Sequence, residues 1–449
     1  MKKKLTIISI VIIMFLIVIT NKAYGKYIEN SALKIGELNI EKIYTVTINC
    51  VNPKDNSVID SFKIENLKSG QMYNTTVPNI REYFLESTSG NTSGIITDED
   101  ITVTYFFKPY GVYAKYYDTD NDGEGDFLLL NPTPEFTYSG TLINDFFNQD
   151  NNEYQLKNQN NKPMWEEVLS NTKKVKVLNE IKPKEFTSYW FFMGENINEI
   201  EDVQKINTSQ VKYMQSMFSN CKNLTNINVT SLDTKNVISM VDMFYNCNKL
   251  QNIDVSNFDT SNVTSMWAMF GNCNNLESID VSNFDTRKVT KMGMMFLSCH
   301  KLKTLNLQNF DTSNIVDINS MFCWCSNLET INLQGFNTSN VIEMEDLFSR
   351  CSKIQRIDLS SFNTKKTKKM KGMFYCCSNL TTIIVGNEWK TEQVESSDIM
   401  FSNDCNLIGG KGTTYQWNKT DKEYARIDEG ETKPRILNFK RKFGRICKH

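Results

Sequence analysis

Asparagines and aspartates recur in this chain at a fixed spacing, and two of them have the separation a hydrolase would need. Asn228, Asp254, Asp280, Asn306, Asn332 and Asp358 each stand between two aliphatic residues, 26 positions apart. If successive units pair as parallel strands about 4.8 Å apart, Asp254 and Asp280 come to about 5 Å, the spacing of the carboxyl pair in a retaining glycosidase. Strand pairing alone produces that distance, however. An open ladder gives no pocket to raise one pKa above the other or to seat a sugar ring. The expectation is therefore no catalytic residues, with this polar column as the candidate ligand-binding surface.

Other chemistries are narrower still. Asp118, Asp120, Asp122 and Asp126 fall at positions 1, 3, 5 and 9 of a calcium-loop pattern, but position 12 is Leu129, where an EF-hand needs a bidentate glutamate. A solvated hairpin tip between Tyr113–Tyr117 and Phe127–Leu130 explains the same residues, and neither metal nor cofactor is expected. The chain has two histidines, His300 and the terminal His449, which excludes His-based nucleophile systems and His-rich zinc sites. Gly409-Gly410-Lys411-Gly412-Thr413 lacks the spacing of a phosphate loop and reads as a glycine turn. A formal charge of -2 does not suggest a nucleic-acid binder.

What must position the polar column is a repeat. Met217-Phe218 recurs as Met243-Phe244, Met269-Phe270, Met295-Phe296, Met321-Phe322, Leu347-Phe348 and Met373-Phe374, each step being 26 positions. Four residues after each Met or Leu stands a cysteine: Cys221, Cys247, Cys273, Cys299, Cys325, Cys351 and Cys377, with Cys405 following Met400-Phe401 one residue late. Cysteines locked to a period are structural positions. Equivalent Cβ atoms about 4.8 Å apart are too distant for disulfides, so these are expected to be free, buried thiols. Within one unit, Ile253 to Val255 alternates as a strand does, while Val263, Met266, Met269 and Phe270 read as one face of a short helix with Asp259 or Thr260 as its N-cap. A unit this short cannot bury enough surface to fold alone, so the units must stack.

The remaining chain divides around this array. Lys2-Lys3-Lys4, an apolar run from Leu5 to Thr20 and Ala23-Tyr24-Gly25 predict a signal peptide over 1–25, cleaved after Gly25; the membrane is expected to be involved only if this segment stays uncleaved. Residues 26–109 predict a β-rich domain, with strands at Ile43–Val51 and Val58–Ile64 around a turn at 52–56. Residues 110–190 read as a hairpin and N-terminal cap in which Trp165 and Trp190 close the core. Residues 191–410 hold the repeats, and 411–449 a C-terminal cap and basic tail; Lys433 to Lys448 carries seven basic residues and no acidic one.

The order Met-Phe-x-x-Cys-x-x-Leu-x-x-Ile-x-Val, with the loop Phe258-Asp-Thr-Ser-Asn-Val263, resembles the BspA-like leucine-rich repeat surface proteins. Tyr415 to Asp428 looks like that family's C-terminal cap. Gly94-Ile95-Ile96-Thr97-Asp98-Glu99-Asp100-Ile101-Thr102-Val103-Thr104-Tyr105 resembles the end of MucBP modules, small β-grasp-like units of surface proteins, although Cys50 within a strand departs from their pattern. The resemblance implies an α+β protein: a leucine-rich-repeat solenoid of strand-turn-helix units behind a β-grasp-like domain. It implies a secreted or cell-surface bacterial adhesin. The partners implied are host matrix or mucin glycoproteins or other cell-surface proteins, with anionic wall polymers as a further partner for the basic tail. The alternatives are a wall-associated glycoside hydrolase and a purely structural surface-layer spacer.

Overall fold

The structure, a computed structural model, describes residues 42–53, 56–78, 80, 83–109, 112–134, 136–148, 163, 165–404, 406–409, 413–425 and 437–439. The expected signal peptide, Cys405, most of the expected glycine turn, the end of the expected C-terminal cap and the bulk of the basic tail lie outside these residues. Contacts divide the chain into two compact units, one ending at Lys108 and the other starting at Pro109.

The first unit contains β1 (Ile43–Val51), β2 (Val58–Lys68), β3 (Met72–Asn74), β4 (Tyr83–Ser89), β5 (Ser93–Ile95) and β6 (Ile101–Pro109). The larger sheet has the order β2-β1-β6-β4, with β1 antiparallel to β2 and parallel to β6; β3 and β5 pair separately. Alternation in β1 decides its faces, because Tyr44, Val46, Ile48 and Cys50 are buried while Thr45, Thr47 and Asn49 point the other way. The core they join includes Ile96, Val103, Tyr105 and Phe107. Cys50 serves there as a small apolar side chain. The Tyr105 hydroxyl stays satisfied at 2.7 Å from Thr75 Oγ1.

In the second unit β7 (Val112–Asp118) and β8 (Phe127–Asn131) form a hairpin, followed by β9 (Thr141–Asn148), α1 (Glu166–Leu169), β10 (Lys174–Val177) and β11 (Glu199–Glu201). The sheet runs β11-β10-β8-β7-β9, and β8, β10 and β11 are parallel, as a lead-in to a parallel stack requires. Trp165 and Trp190 are buried edge to face at 5.8 Å, with Trp165 Nε1 donating to the Trp190 carbonyl at 2.8 Å. Both belong to the same core as the repeats that follow.

The repeats form coils laid one on another, bridged in parallel at Phe186, Tyr213, Ser239, Ser265, Lys291, Asp317, Glu343, Lys369 and Ser396. Regular strands appear late: β12 (Thr304–Asn306) pairs β13 (Thr330–Asn332), and β14 (Arg356–Leu359), β15 (Thr382–Val385) and β16 (Asn438–Phe439) form a second parallel group. In earlier coils Ile253 and Val255 are buried and Asp254 exposed without a regular ladder.

The helix expected over Val263 to Phe270 does not form, and α1 is the one α-helix among the described residues. The run is a succession of turns instead. Val263, Met269, Cys273 and Leu276 each donate to the carbonyl three residues back, at 2.9 to 3.2 Å. Two left-handed residues per coil, such as Ala268 (φ 50°) and Asn272 (φ 58°), interrupt any α-turn. The amides between these turns point along the stack: Met240, Asp242, Phe244 and Asn246 donate to the carbonyls of Ser265, Trp267, Met269 and Gly271 in the next coil. At about 1 kcal/mol net each, these four bonds give about 4 kcal/mol per coil interface. Phenylalanine stacking adds to it, since Phe244 and Phe270 lie at 5.6 Å with an interplanar angle of 1°. The Asp-Thr pair is not an N-cap: Thr260 Oγ1, buried, donates to the Asp285 carbonyl of the following coil at 3.0 Å, and Asn262 Nδ2 reaches back to Lys235 O at 2.7 Å.

Candidate functional site

The polar column lies on the surface as its alternation with Ile and Val requires. Asn228, Asp254, Asp280 and Asn306 are exposed, and Asn332 and Asp358 half-exposed. All six share one local task. Their Oδ1 atoms accept the amide two residues on: Thr230 at 3.1 Å, Ser256 at 3.0 Å, Ser282 at 2.9 Å, Gln308 at 3.3 Å, Gln334 at 3.2 Å and Ser360 at 3.0 Å. Only a short side chain with a carbonyl-type oxygen closes that turn, so the restriction to Asn and Asp has a structural cause; Asn332 also donates from Nδ2 to Gln308 Oε1 at 3.1 Å. Hydrogen bonds from the Ser256 hydroxyl and amide hold the Asp254 carboxyl below the usual carboxylate range, and Ser282 does the same for Asp280. A glycosidase pair needs one carboxyl raised. Both are moved the other way.

On the same face, toward the C-terminal end, an open trough of about 700 Å³ is lined by Glu329, Thr330, Lys353, Gln355, Arg356 and Asp358. It holds charges of both signs and no histidine or cysteine. That composition suits hydrogen bonding to a polar partner.

The calcium pattern is brought together in part. Carboxylate oxygens of Asp118, Asp120 and Asp122 lie within 4.8 Å of one another, while Asp126 turns to Thr119, accepting its amide at 2.9 Å. The cluster is already engaged: Asp118 accepts the amides of Asn121 and Gly123, and Asp120 pairs with Lys173 at 2.9 Å. These bonds close the β7–β8 hairpin tip.

The cysteine column is internal. Cys221, Cys247, Cys273, Cys299, Cys325, Cys351 and Cys377 are fully buried and free, each Sγ donating to a phenylalanine carbonyl of the preceding coil at 3.0 to 3.3 Å. Burial pushes the Cys247 and Cys325 thiols up to about 12. Cys405 lies outside the described residues, one place past the register of this column. Asp404 takes the eighth place: its amide donates to Phe401 O and its carbonyl accepts from Leu407, as Cys377 does with Phe374 and Leu380. The late position of Cys405 in sequence marks this one-residue slip. Asp404 is buried, Oδ1 accepting the Cys377 amide at 2.7 Å while Oδ2 has no partner among the described residues, and desolvation pushes its carboxyl up to about 8.

A second surface group is not apparent from repeat spacing. His300, Trp324, Arg350 and Tyr375 come from four successive coils and meet on the turn side. Their signal in the sequence is a break in one column. The left-handed place after each Met-Phe pair reads Asn220, Asn246, Asn272 and Ser298, then Trp324, Arg350 and Cys376.

The second unit is thus a stack of coils with a polar face, and the first is built on a small mixed sheet. Comparison with known families bears on each part. Residues 185–306 and 295–409 match the family described as "Mycoplasma protein of unknown function, DUF285"; together these overlapping matches span 185–409, half of the chain, and the chain belongs to this family. Residues 45–108 match the MucBP domain, which makes this a cell-surface, adhesion-type protein. No curated protein and no solved structure matches the chain. No helix among the described residues is long and apolar enough to cross a membrane.

Proposed function

We propose that this is a secreted bacterial adhesin of the BspA-like leucine-rich-repeat kind, in which the repeats form a solenoid that presents a polar surface and the MucBP module adds a second adhesive element. The observation that carries the reading is the MucBP match at 45–108 on the same chain as the coil stack. Its partners are host mucin or matrix glycoproteins, or proteins of other cell surfaces, and the protein acts by binding without catalysis. The Asp254 and Asp280 carboxyls, both held low, favour this over a glycoside hydrolase.

Recognition through the repeats would be additive, since each exposed polar contact contributes about 1 kcal/mol. The test is immobilised mucin and matrix protein against the full chain, a chain lacking 42–109, and a chain from which two internal coils are excised in register. Adhesion through the coils predicts weakened binding in the last variant. Binding lost only with 42–109 would make the stack a spacer, and binding by none of the three would overturn the adhesin reading.

A further inference from the structure

Trp324 and Arg350 sit where the fold least favours them. Both have φ of 63°, in the left-handed region that bulky side chains avoid, at the register place filled by Asn220, Asn246, Asn272 and Asn403 in other coils. Asparagine tolerates that conformation, so the fold itself does not ask for tryptophan or arginine. Met193, Ser298 and Cys376 hold the same left-handed place in other coils, so what sets Trp324 and Arg350 apart is their side chains and not the backbone.

Those side chains stack across neighbouring coils. The Arg350 guanidinium lies over the Trp324 ring of the preceding coil at 4.2 Å and over the Tyr375 ring of the following coil at 5.2 Å. Stacking fixes the plane of the guanidinium by its faces and leaves its N–H edges available. Among the described residues no carboxylate lies within ion-pair distance of it; Asp346 acts on it only from farther off. The Trp324 indole is 43% exposed. His300 stands edge to face with it at 6.0 Å and places Nδ1 2.8 Å from the Trp324 carbonyl, an acceptor, so the proton is on Nδ1.

We propose that this strip binds an anionic sugar: Arg350 takes the carboxylate or sulfate through two parallel N–H···O bonds, and the sugar's C–H face packs against the part of Trp324 that the guanidinium leaves exposed. A fixed fork with no carboxylate at ion-pair distance among the described residues calls for a planar or tetrahedral oxyanion, and the exposed part of the indole beside it calls for a ring with an apolar face. The inference rests on the adhesin reading and deepens it by naming the ligand class and the residues.

The experiment uses the full chain and saturation-transfer NMR or calorimetry with sialyllactose, sulfated lactose and neutral lactose as probes. One or both anionic probes should bind, and neutral lactose about tenfold or more weakly. Whichever anionic probe binds tells carboxylate from sulfate. Arg350→Asn and Trp324→Asn should each weaken binding about tenfold or more, with Arg350→Lys failing to restore it, because a point charge lacks the fork. Melting of the two asparagine variants should be unchanged or higher, since asparagine already fills this place elsewhere; this keeps unfolding from imitating lost binding. Equal affinity for neutral and anionic probes, no binding of any probe, or anionic binding untouched by Arg350→Asn would each overturn the proposal. A chain that still binds mucin in any of those cases keeps the adhesin reading intact.

Discussion

The two units solve the same problem, burying apolar surface, by opposite means. In the first, β1 pairs with β6 from the far end of the unit, and a single core serves the whole. In the second, every coil meets the next through the same four amides and the same phenylalanine, so interactions repeat instead of converging. A unique core has one point of failure. A stack spreads its stability over neighbours and tolerates local variation on its surface. The difference teaches that sequence variation means different things in the two regions: within β1 it changes packing, whereas in an outward column of the stack it can be read as selection for a partner.

The largest expected effect is in thiol reactivity. Cys247 is buried and pushed up to about 12 from an ordinary 9.0. Native thiols of the stack should therefore react at least about a hundredfold slower than unfolded ones. Cys376, half-exposed, should react at once. In rising denaturant Cys50, held by the smaller core, should become reactive before Cys247. Ellman kinetics with mass-spectrometric localisation gives the order, and simultaneous release would mean the two units open together.

Next comes Phe270→Ala, which removes a ring stacked on Phe244 and on Phe296 at 5.9 Å. The loss should be about 3–5 kcal/mol. Hydrogen exchange should show it spreading to adjacent coils while amides of β1 and β6 keep their protection. Loss of protection in both units would break the comparison.

Asp404 should make the C-terminal end of the stack sensitive to pH. Its carboxyl titrates at about 8 when folded, against 3.8 ordinarily, so the folded form holds the extra proton between those values. Stability should therefore fall as pH rises from about 4 to about 8 and level off above, by on the order of a few kcal/mol. Asp404→Asn keeps the acceptor for the Cys377 amide and should flatten the profile; an unchanged slope would place the ionisation elsewhere.

Much of this architecture is legible in the sequence. Strand faces in β1 follow from alternation, the buried column from cysteines locked to a period, and the coil boundaries from Met-Phe; in β2 alternation misleads, since Val58 and Phe62 are exposed while Ile59, Ile64 and Leu67 pack on the core. The pattern misleads at the expected helix because Val263, Met266 and Met269 recur every three residues, as turns bonded three back require, and not in the mixed threes and fours of an α-helix. Asparagine recurring at 220, 246 and 272 carries the left-handed signal that corrects it. Asp404 is hidden because Cys405 beside it matches the column by type though not by register. Arg350 and Trp324 are hidden because their meaning depends on lying over one another, which no single-column reading provides.

The smallest effect is the most diagnostic for the polar column. As a turn-closing acceptor, Asp254 is replaceable by asparagine, which keeps the Oδ1 that receives the Ser256 amide. Asp254→Asn with Asp280→Asn should therefore leave melting unchanged, while the two alanine changes lower it slightly. Thr286→Val supplies the scale, since it deletes the buried bond from Oγ1 to Asp311 O. That loss should cost about 1 kcal/mol. Binding separates the roles that stability cannot. If the column recognises a partner through charge, the asparagine pair should weaken mucin adhesion with the fold untouched; if it recognises through hydrogen-bond acceptors, only the alanine pair should. Adhesion unchanged in both would assign these residues wholly to the turn and leave recognition to the coil surface around Arg350 or to the sheet of the first unit.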